Sequence, residues 1–148
     1  MKIAIGCDHA GVNEKNQIID FLVKNGYEVE NFGTDTADSV DYPDIALPVA
    51  NAVKDGKVDR GILICGTGVG IGICANKVNG IRCALCGDEA VAKLCRQHNN
   101  ANMISMGARV IDVEKMKKIV TAFLTTEFEG GRHQKRVDKI TNIEKLQK

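Results

Sequence analysis

The chain has 148 residues, 26% of them charged and 44% hydrophobic, with 20 Lys and Arg against 19 Asp and Glu. A chain of this length is expected to form one soluble domain over residues 1–148, burying roughly 68–70% of its unfolded surface, so neither metal nor disulfide is required to hold a core. A formal charge of +1 supplies no concentrated basic patch, which argues against a nucleic acid or an anionic membrane as partner.

Short β-branched apolar runs alternate with helix-like segments along the chain. The first run, Lys2 to Cys7, reads as a strand and meets Asp8 before any secretory core could form. No stretch reaches the ~18 to 20 apolar residues of a membrane helix, so the cytoplasm is the expected compartment. Thiols stay reduced there, and Cys7, Cys65, Cys74, Cys83, Cys86 and Cys95 are read as small buried hydrophobes or as chemistry. A helix is predicted over Asn13 to Asn25, stopped by Gly26, then a strand from Tyr27 to Phe32. Pro43 sits at a favoured first-turn position of a second helix ending near Asp55.

The third strand, Gly61 to Cys65, lacks polar alternation, as expected of a strand covered on both faces. A helix over Gly70 to Asn76 follows, then a strand from Ile81 to Cys86, a helix from Asp88 to Gln97, a strand from Met103 to Met106, and a helix from Asp112 to Thr126. Alternating strands and helices imply a three-layer α/β/α sandwich around a five-stranded parallel, Rossmann-like sheet with right-handed crossovers. From Glu129 onward the strand pattern is lost, and a polar, basic C-terminal helical tail is expected outside the core, where it can pack on a neighbour.

Ligands of open parallel sheets bind beyond the carboxyl ends of the strands, where strand order reverses. Two loops there stand out: Cys7-Asp8-His9-Ala10-Gly11 after the first strand and Cys65-Gly66-Thr67-Gly68-Val69-Gly70 after the third. Glycines at 66, 68 and 70 let backbone N–H groups turn inward, and the helix behind them adds its positive end, making an anion cradle. The same glycines also suit a tight turn with no ligand. A dinucleotide fingerprint fails because position 71 is Ile, the offset match Gly70-x-Gly72-x-x-Ala75 falls inside the helix, and no Walker motif is present.

Cys65 stands at the mouth of this cradle, where a helix N-terminus favours a thiolate acting as base or nucleophile. An inert buried cysteine is the alternative. Cys83-Ala84-Leu85-Cys86 has metal-like spacing, but on a strand its thiols point to opposite faces and no second ligand pair exists, so no metal site is expected. Histidine is scarce, and His9 and His98 fall at predicted element ends while His133 lies in Gly130-Gly131-Arg132-His133-Gln134-Lys135-Arg136; scarce histidines at loops favour chemistry, with a surface histidine of no role as the alternative. Arg132 and Arg136 would share a helix face and could hold one phosphate, or form a solvated basic face.

The motifs Asp8-His9-Ala10-Gly11, Asp41-Tyr42-Pro43, Ile64-Cys65-Gly66-Thr67-Gly68-Val69-Gly70, Ala75-Asn76-Lys77, Gly80-Ile81-Arg82, His98-Asn99 and Gly130-Gly131-Arg132-His133 occur in this order. Together they resemble the type B ribose-5-phosphate isomerase family of the ribose/galactose isomerase superfamily, nearly end to end. The resemblance implies an aldose–ketose isomerase interconverting D-ribose 5-phosphate and D-ribulose 5-phosphate, with six-carbon allose or galactose 6-phosphate as the rival substrate and a non-catalytic nucleotide-binding module as the rival class. It implies that Cys65 shuttles a proton between C1 and C2, and that the amides of Gly66 to Gly70, Val69 included, meet the enediolate. Thr67 would move a proton between O1 and O2, while Asp8 and His98 would open the furanose ring. Asn99 would hold a sugar oxygen, Tyr42 would wall the pocket, and His9, Arg109, Arg132 and Arg136 would grip phosphate, with His133 adjacent. The family works as a homodimer, sometimes paired into a homotetramer, with no metal and no organic cofactor, and His98, Asn99 and Arg109 are expected from the partner.

Overall fold

A computed structural model describes residues 1–147. Its strands are β1 (Lys2–Cys7), β2 (Glu28–Asn31), β3 (Arg60–Cys65), β4 (Cys83–Leu85) and β5 (Met103–Gly107), in the order β2-β1-β3-β5-β4 with every pair parallel. The helices are α1 (Val12–Lys24), α2 (Tyr42–Lys54), α3 (Val69–Asn76), α4 (Glu89–Asn99), α5 (Val113–Thr125) and α6 (Arg132–Leu146). This is the expected three-layer α/β/α sandwich on a five-stranded parallel sheet. β1 and β3 are neighbours, with Cys7 opposite Ile64, so the two loops singled out by sequence open at the same edge.

Strand alternation sorts the core into two layers. Ile3, Ile5, Ile62, Ile64, Ile104 and Met106 pack under α1, α4 and α5, whereas Ala4, Leu63, Cys65 and Met103 pack under α2 and α3. Each fully buried Ile or Leu contributes about 1.5–3 kcal/mol relative to exposure, and the central strands supply them without interruption. Helix ends follow their local signals: Asp88 Oδ1 accepts the Val91 amide at 2.9 Å, Asp112 Oδ1 accepts the Lys115 amide at 2.8 Å, and Gly26 takes φ +87° just past α1.

The edge strands are shorter than the sequence suggests. β4 has three residues because side chains take over its backbone groups: Asn102 Oδ1 accepts the Arg82 amide at 2.8 Å, and Asn76 caps Cys83 on both sides, accepting its N–H at 2.7 Å and donating to its carbonyl at 2.9 Å. α6 lies outside the two core layers and packs on α4, burying only His133 and Val137. No helix among the described residues is long and apolar enough to cross a membrane.

Candidate active site

β3 directs Cys65 toward the α2/α3 layer, where it is only 4% exposed, more enclosed than a residue at an open mouth. Its sulfur nevertheless faces the loop: the Gly68 amide donates to Sγ at 3.1 Å. Gly68 makes this possible by adopting φ +81°, and a Cβ there would lie 2.7 Å from the Met106 carbonyl carbon. The loop is pinned to the end of β5 by the Ala108 amide donating to the Cys65 carbonyl at 2.8 Å and the Arg109 amide donating to the Gly66 carbonyl at 2.9 Å. Gly107 allows that approach, because a Cβ there would sit 2.6 Å from the Thr67 carbonyl.

Among the described residues, the amides of Gly66, Thr67, Gly70 and Ile71 have no protein acceptor. They stand at the start of α3, whose positive end adds to them. Thr67 is exposed, and its Oγ1 accepts the Val69 amide at 3.2 Å. The other two glycines make room for side chains. A Cβ on Gly70 would lie 2.7 Å from Cζ of Tyr42, and one on Gly66 would lie 3.2 Å from Nη1 of Arg109. Tyr42 and Arg109 therefore flank the cradle from either side.

The β1 loop completes this edge. Its backbone is tied to β3 by the Asp8 amide donating to the Ile64 carbonyl at 3.1 Å. Asp8 is buried, and its Oδ1 accepts the Ala10 amide at 2.9 Å, capping the short turn His9–Gly11. His9 Nδ1 accepts the Val40 amide at 3.2 Å, so the neutral ring carries its proton on Nε2, free to donate.

The remaining candidates form a second group. His98 and Asn99 end α4, and Arg132, His133 and Arg136 begin α6. The His98 and His133 rings stack with centroids 4.4 Å apart and planes 13° apart, and His133 Nε2 meets Glu129 Oε1 at 3.4 Å. Desolvation first, then the neighbouring His98 and Arg132, holds the His133 imidazole below its ordinary range. Ligand atoms of His98, Glu129 and His133 lie within 4.8 Å of one another. Nearly parallel rings, however, send their in-plane lone pairs side by side rather than toward a common ion. Arg132 and Arg136 are both exposed.

Topology separates the two groups. α4 leaves the carboxyl edge after β4 and returns to the amino edge before β5, so His98 and the start of α6 lie across the sheet from Cys65. The five residues of β5 span about 16 Å at ~3.3 Å per residue. One chain brings together Asp8, His9, Tyr42, Arg109 and the 65–70 loop, and separately His98, Asn99, Arg132, His133 and Arg136. Arg109 departs from expectation: it follows β5 at the carboxyl edge and lies against Gly66 of its own chain, so no partner is needed to place it. A concavity of about 480 Å³ between α3, β4 and α6 includes Asn99 but none of the carboxyl-edge residues.

The Cys7, Cys83 and Cys86 thiols are poorly suited to proton transfer. Desolvation pushes Cys7 up to about 11 and Cys83 up to about 12. Cys86 is raised by its contact with Cys95, which is lowered by the same contact. Cys83 and Cys86 belong to opposite core layers, as strand alternation requires. Sequence reasoning missed Lys15 and Gly107. Lys15 had a signal, since it shares the buried stripe of α1 with Ile18 and Leu22.

A family model described as Ribose/Galactose Isomerase matches residues 3–140. The chain is 52% identical to ribose-5-phosphate isomerase B of Escherichia coli K12 over 143 residues, 97% of this chain and 96% of the relative. It is 48% identical to D-erythrulose-4-phosphate isomerase of Pectobacterium atrosepticum over 149 residues, 100% of this chain and 98% of the relative. The structure of ribose-5-phosphate isomerase B from Clostridium thermocellum superposes with a TM-score of 0.99 at 55% identity, covering 100% of both chains. With residues 3–140 matched by the family model and relatives of this identity covering nearly the whole chain, this protein belongs to the ribose/galactose isomerase family.

Proposed function

We propose that this protein interconverts D-ribose 5-phosphate and D-ribulose 5-phosphate, using Cys65 as the base that moves a proton between C2 and C1. The observation carrying this reading is the Cys65 sulfur, 3.1 Å from the Gly68 amide beside four backbone amides with no acceptor among the described residues. A carbanion formed next to a carbonyl places charge on oxygen, and fixed donors stabilise that charge without reorganising.

The steps balance as a proton relay. Asp8, with His98 of the partner subunit, opens the furanose ring to the free aldehyde. The Cys65 thiolate removes the C2 proton, the electron pair forms the C1–C2 double bond, and O1 takes the negative charge against the loop amides. Thr67 passes the O2 proton to O1. Collapse of the O2 anion to a carbonyl draws the proton from Cys65 onto C1, giving the ketose and regenerating thiolate. His9, Arg109 and the partner subunit's Arg132 and Arg136 hold the phosphate, Asn99 of the partner subunit holds a sugar oxygen, and Tyr42 closes the wall.

A homodimer with two such sites is part of the proposal, because the two residue groups stand at opposite sheet edges. The test is ribulose formation from ribose 5-phosphate, with kcat/KM compared against D-erythrulose 4-phosphate and allose 6-phosphate. The four-carbon substrate is a second reading, favoured by the Pectobacterium relative. A higher kcat/KM on it, or on the six-carbon substrate, replaces the pentose assignment; no turnover of any overturns the isomerase reading.

A further inference from the structure

Lys15 is the largest fully buried side chain with a charge, at 0% exposure on α1, and the mechanism does not use it. Its Nζ donates to Asn31 Oδ1 at 2.9 Å and to Asp35 Oδ1 at 2.5 Å. Both acceptors belong to the segment that leaves β2 and travels to α2. Asn31 also accepts the Gly33 amide at 2.8 Å and donates to Asp35 at 3.0 Å, so the ammonium sits at the centre of a closed polar knot. Backbone bonds attach the same segment to the end of β1: the Cys7 amide donates to the Gly33 carbonyl at 2.6 Å, and the Thr34 amide donates to the Cys7 carbonyl at 2.7 Å.

This segment delivers two side of the site. Its Val40 amide donates to His9 Nδ1, and its end places Tyr42 across Gly70. We propose that Lys15 is a positioning residue, whose buried ammonium locks residues 31–42 against β1 and so fixes His9 and Tyr42 for substrate. An ammonium taken out of water is costly unless its donors are met, and the acceptors here come from the last residue of edge strand β2 and the connection beyond it rather than from a helix or central strand. Opening that connection strands the charge, so the charge keeps it shut. Asp35 itself is 64% exposed and gains from the contact, its carboxyl being held below the ordinary range by Lys15. The consequence for catalysis rests on the isomerase reading; the consequence for the segment does not.

The test compares Lys15→Met, Lys15→Arg and Asp35→Asn with the unmodified protein in steady-state kinetics on ribose 5-phosphate and in amide hydrogen exchange. Lys15→Met keeps the apolar stem and removes the charge. The expected result is a KM raised about tenfold with kcat changed less than about threefold, because His9 belongs to the phosphate grip. The Val40 and Thr34 amides should exchange at least about tenfold faster, while Ile62 and Leu63 in the central strand keep their protection. Lys15→Arg should recover part of both effects. Unchanged exchange at Val40 in a folded Lys15→Met overturns the proposal, as does faster exchange spread equally over the central strand. Should Lys15→Met fail to fold, Asp35→Asn decides: a smaller rise in KM with faster Val40 exchange supports it, and the absence of either effect overturns it. If the unmodified protein turns over no sugar phosphate, the isomerase reading fails while the exchange data still decide the role of Lys15.

Discussion

Gly68→Ala tests the cradle where its geometry is most constrained. At φ +81° an L-residue pays about 1–2 kcal/mol for left-handed backbone. The new Cβ would also lie 2.7 Å from the Met106 carbonyl carbon and 3.0 Å from its Cα. These are strand backbone atoms that cannot swing aside, so overpacking adds about 1–3 kcal/mol. The sum, about 2–5 kcal/mol, lowers Tm by about 4–20 °C in a chain of this size. Relief by rotating the loop carries the 68 amide away from Cys65 and should lower kcat by about 100-fold. Gly70→Ala is the control. That residue lies inside α3, its φ is not positive, and the obstacle is the tip of Tyr42, which is 40% exposed and can move; its stability should stay within about 1 kcal/mol of the parent. Thermal unfolding followed by circular dichroism, with kcat/KM on ribose 5-phosphate, reads both variants. A Gly68→Ala protein with unchanged Tm and kcat would refute the reasoning.

Cys65→Ala should lose nearly all turnover while still binding ribose 5-phosphate in calorimetry, whereas Cys95→Ala should retain kcat within about tenfold; equal losses would reject the assignment. Arg136→Ala should raise KM about tenfold or more with little change in kcat, since it removes a phosphate donor rather than a reacting group. The thiols of buried Cys7 and half-buried Cys83, raised to about 11 and about 12, favour the folded state fully below the unfolded thiol value near 9.0. Their contribution falls as pH rises from there through 11 and 12, so the urea midpoint should drop between pH 8.5 and 11, and Cys7→Ala should flatten that drop. Mixing inactive Cys65→Ala and His98→Ala chains should restore about a quarter of full activity, because half the dimers are mixed and one of the two symmetric sites in each is intact. No recovery after exchange of subunits, shown by mass, would argue against sites shared between chains.

The central strands were legible because β1, β3 and β5 are buried on both faces and leave an uninterrupted apolar signature. The edge strands β2 and β4 were drawn too long; at β4 the side chains of Asn76 and Asn102, invisible to periodicity, end the ladder at Cys83. The loop after Cys65 was legible as a cradle from its glycines, yet each glycine answers to a different neighbour: Met106 backbone at 68, Tyr42 at 70, Arg109 at 66. Those contacts cross long stretches of chain and leave no local mark. Arg109 could have been placed from topology alone, because a residue just past β5 must stand at the same edge as Cys65. Lys15 was the reverse case, a charge on an apolar helical stripe that reads as a solvated lysine until its acceptors 16 and 20 residues away are known.

The division of the site follows from the parallel sheet itself. Every strand ends at the edge that carries Asp8, Cys65 and Arg109, and every covering helix returns to the other, so residues ending α4 can never face the cradle of their own chain. Sliding α4 along its axis does not help, because Asp88 caps its start at the carboxyl edge and Arg82 and Arg96 clamp its end: Arg82 Nε donates to the Asn99 carbonyl at 3.0 Å, and Arg96 Nη1 to the Ala101 carbonyl at 2.7 Å. The Glu129 amide donating to the Gln97 carbonyl at 3.1 Å fastens the approach to α6 at the same place. His98, Asn99, Arg132 and Arg136 are thus held as a rigid set presented outward at one edge, while the thiol and its amides wait at the other. In the proposed homodimer, a two-fold axis that sets one edge beside the other would join both halves twice over, and the phosphate, with cations drawn from both chains, would report whether the two are joined.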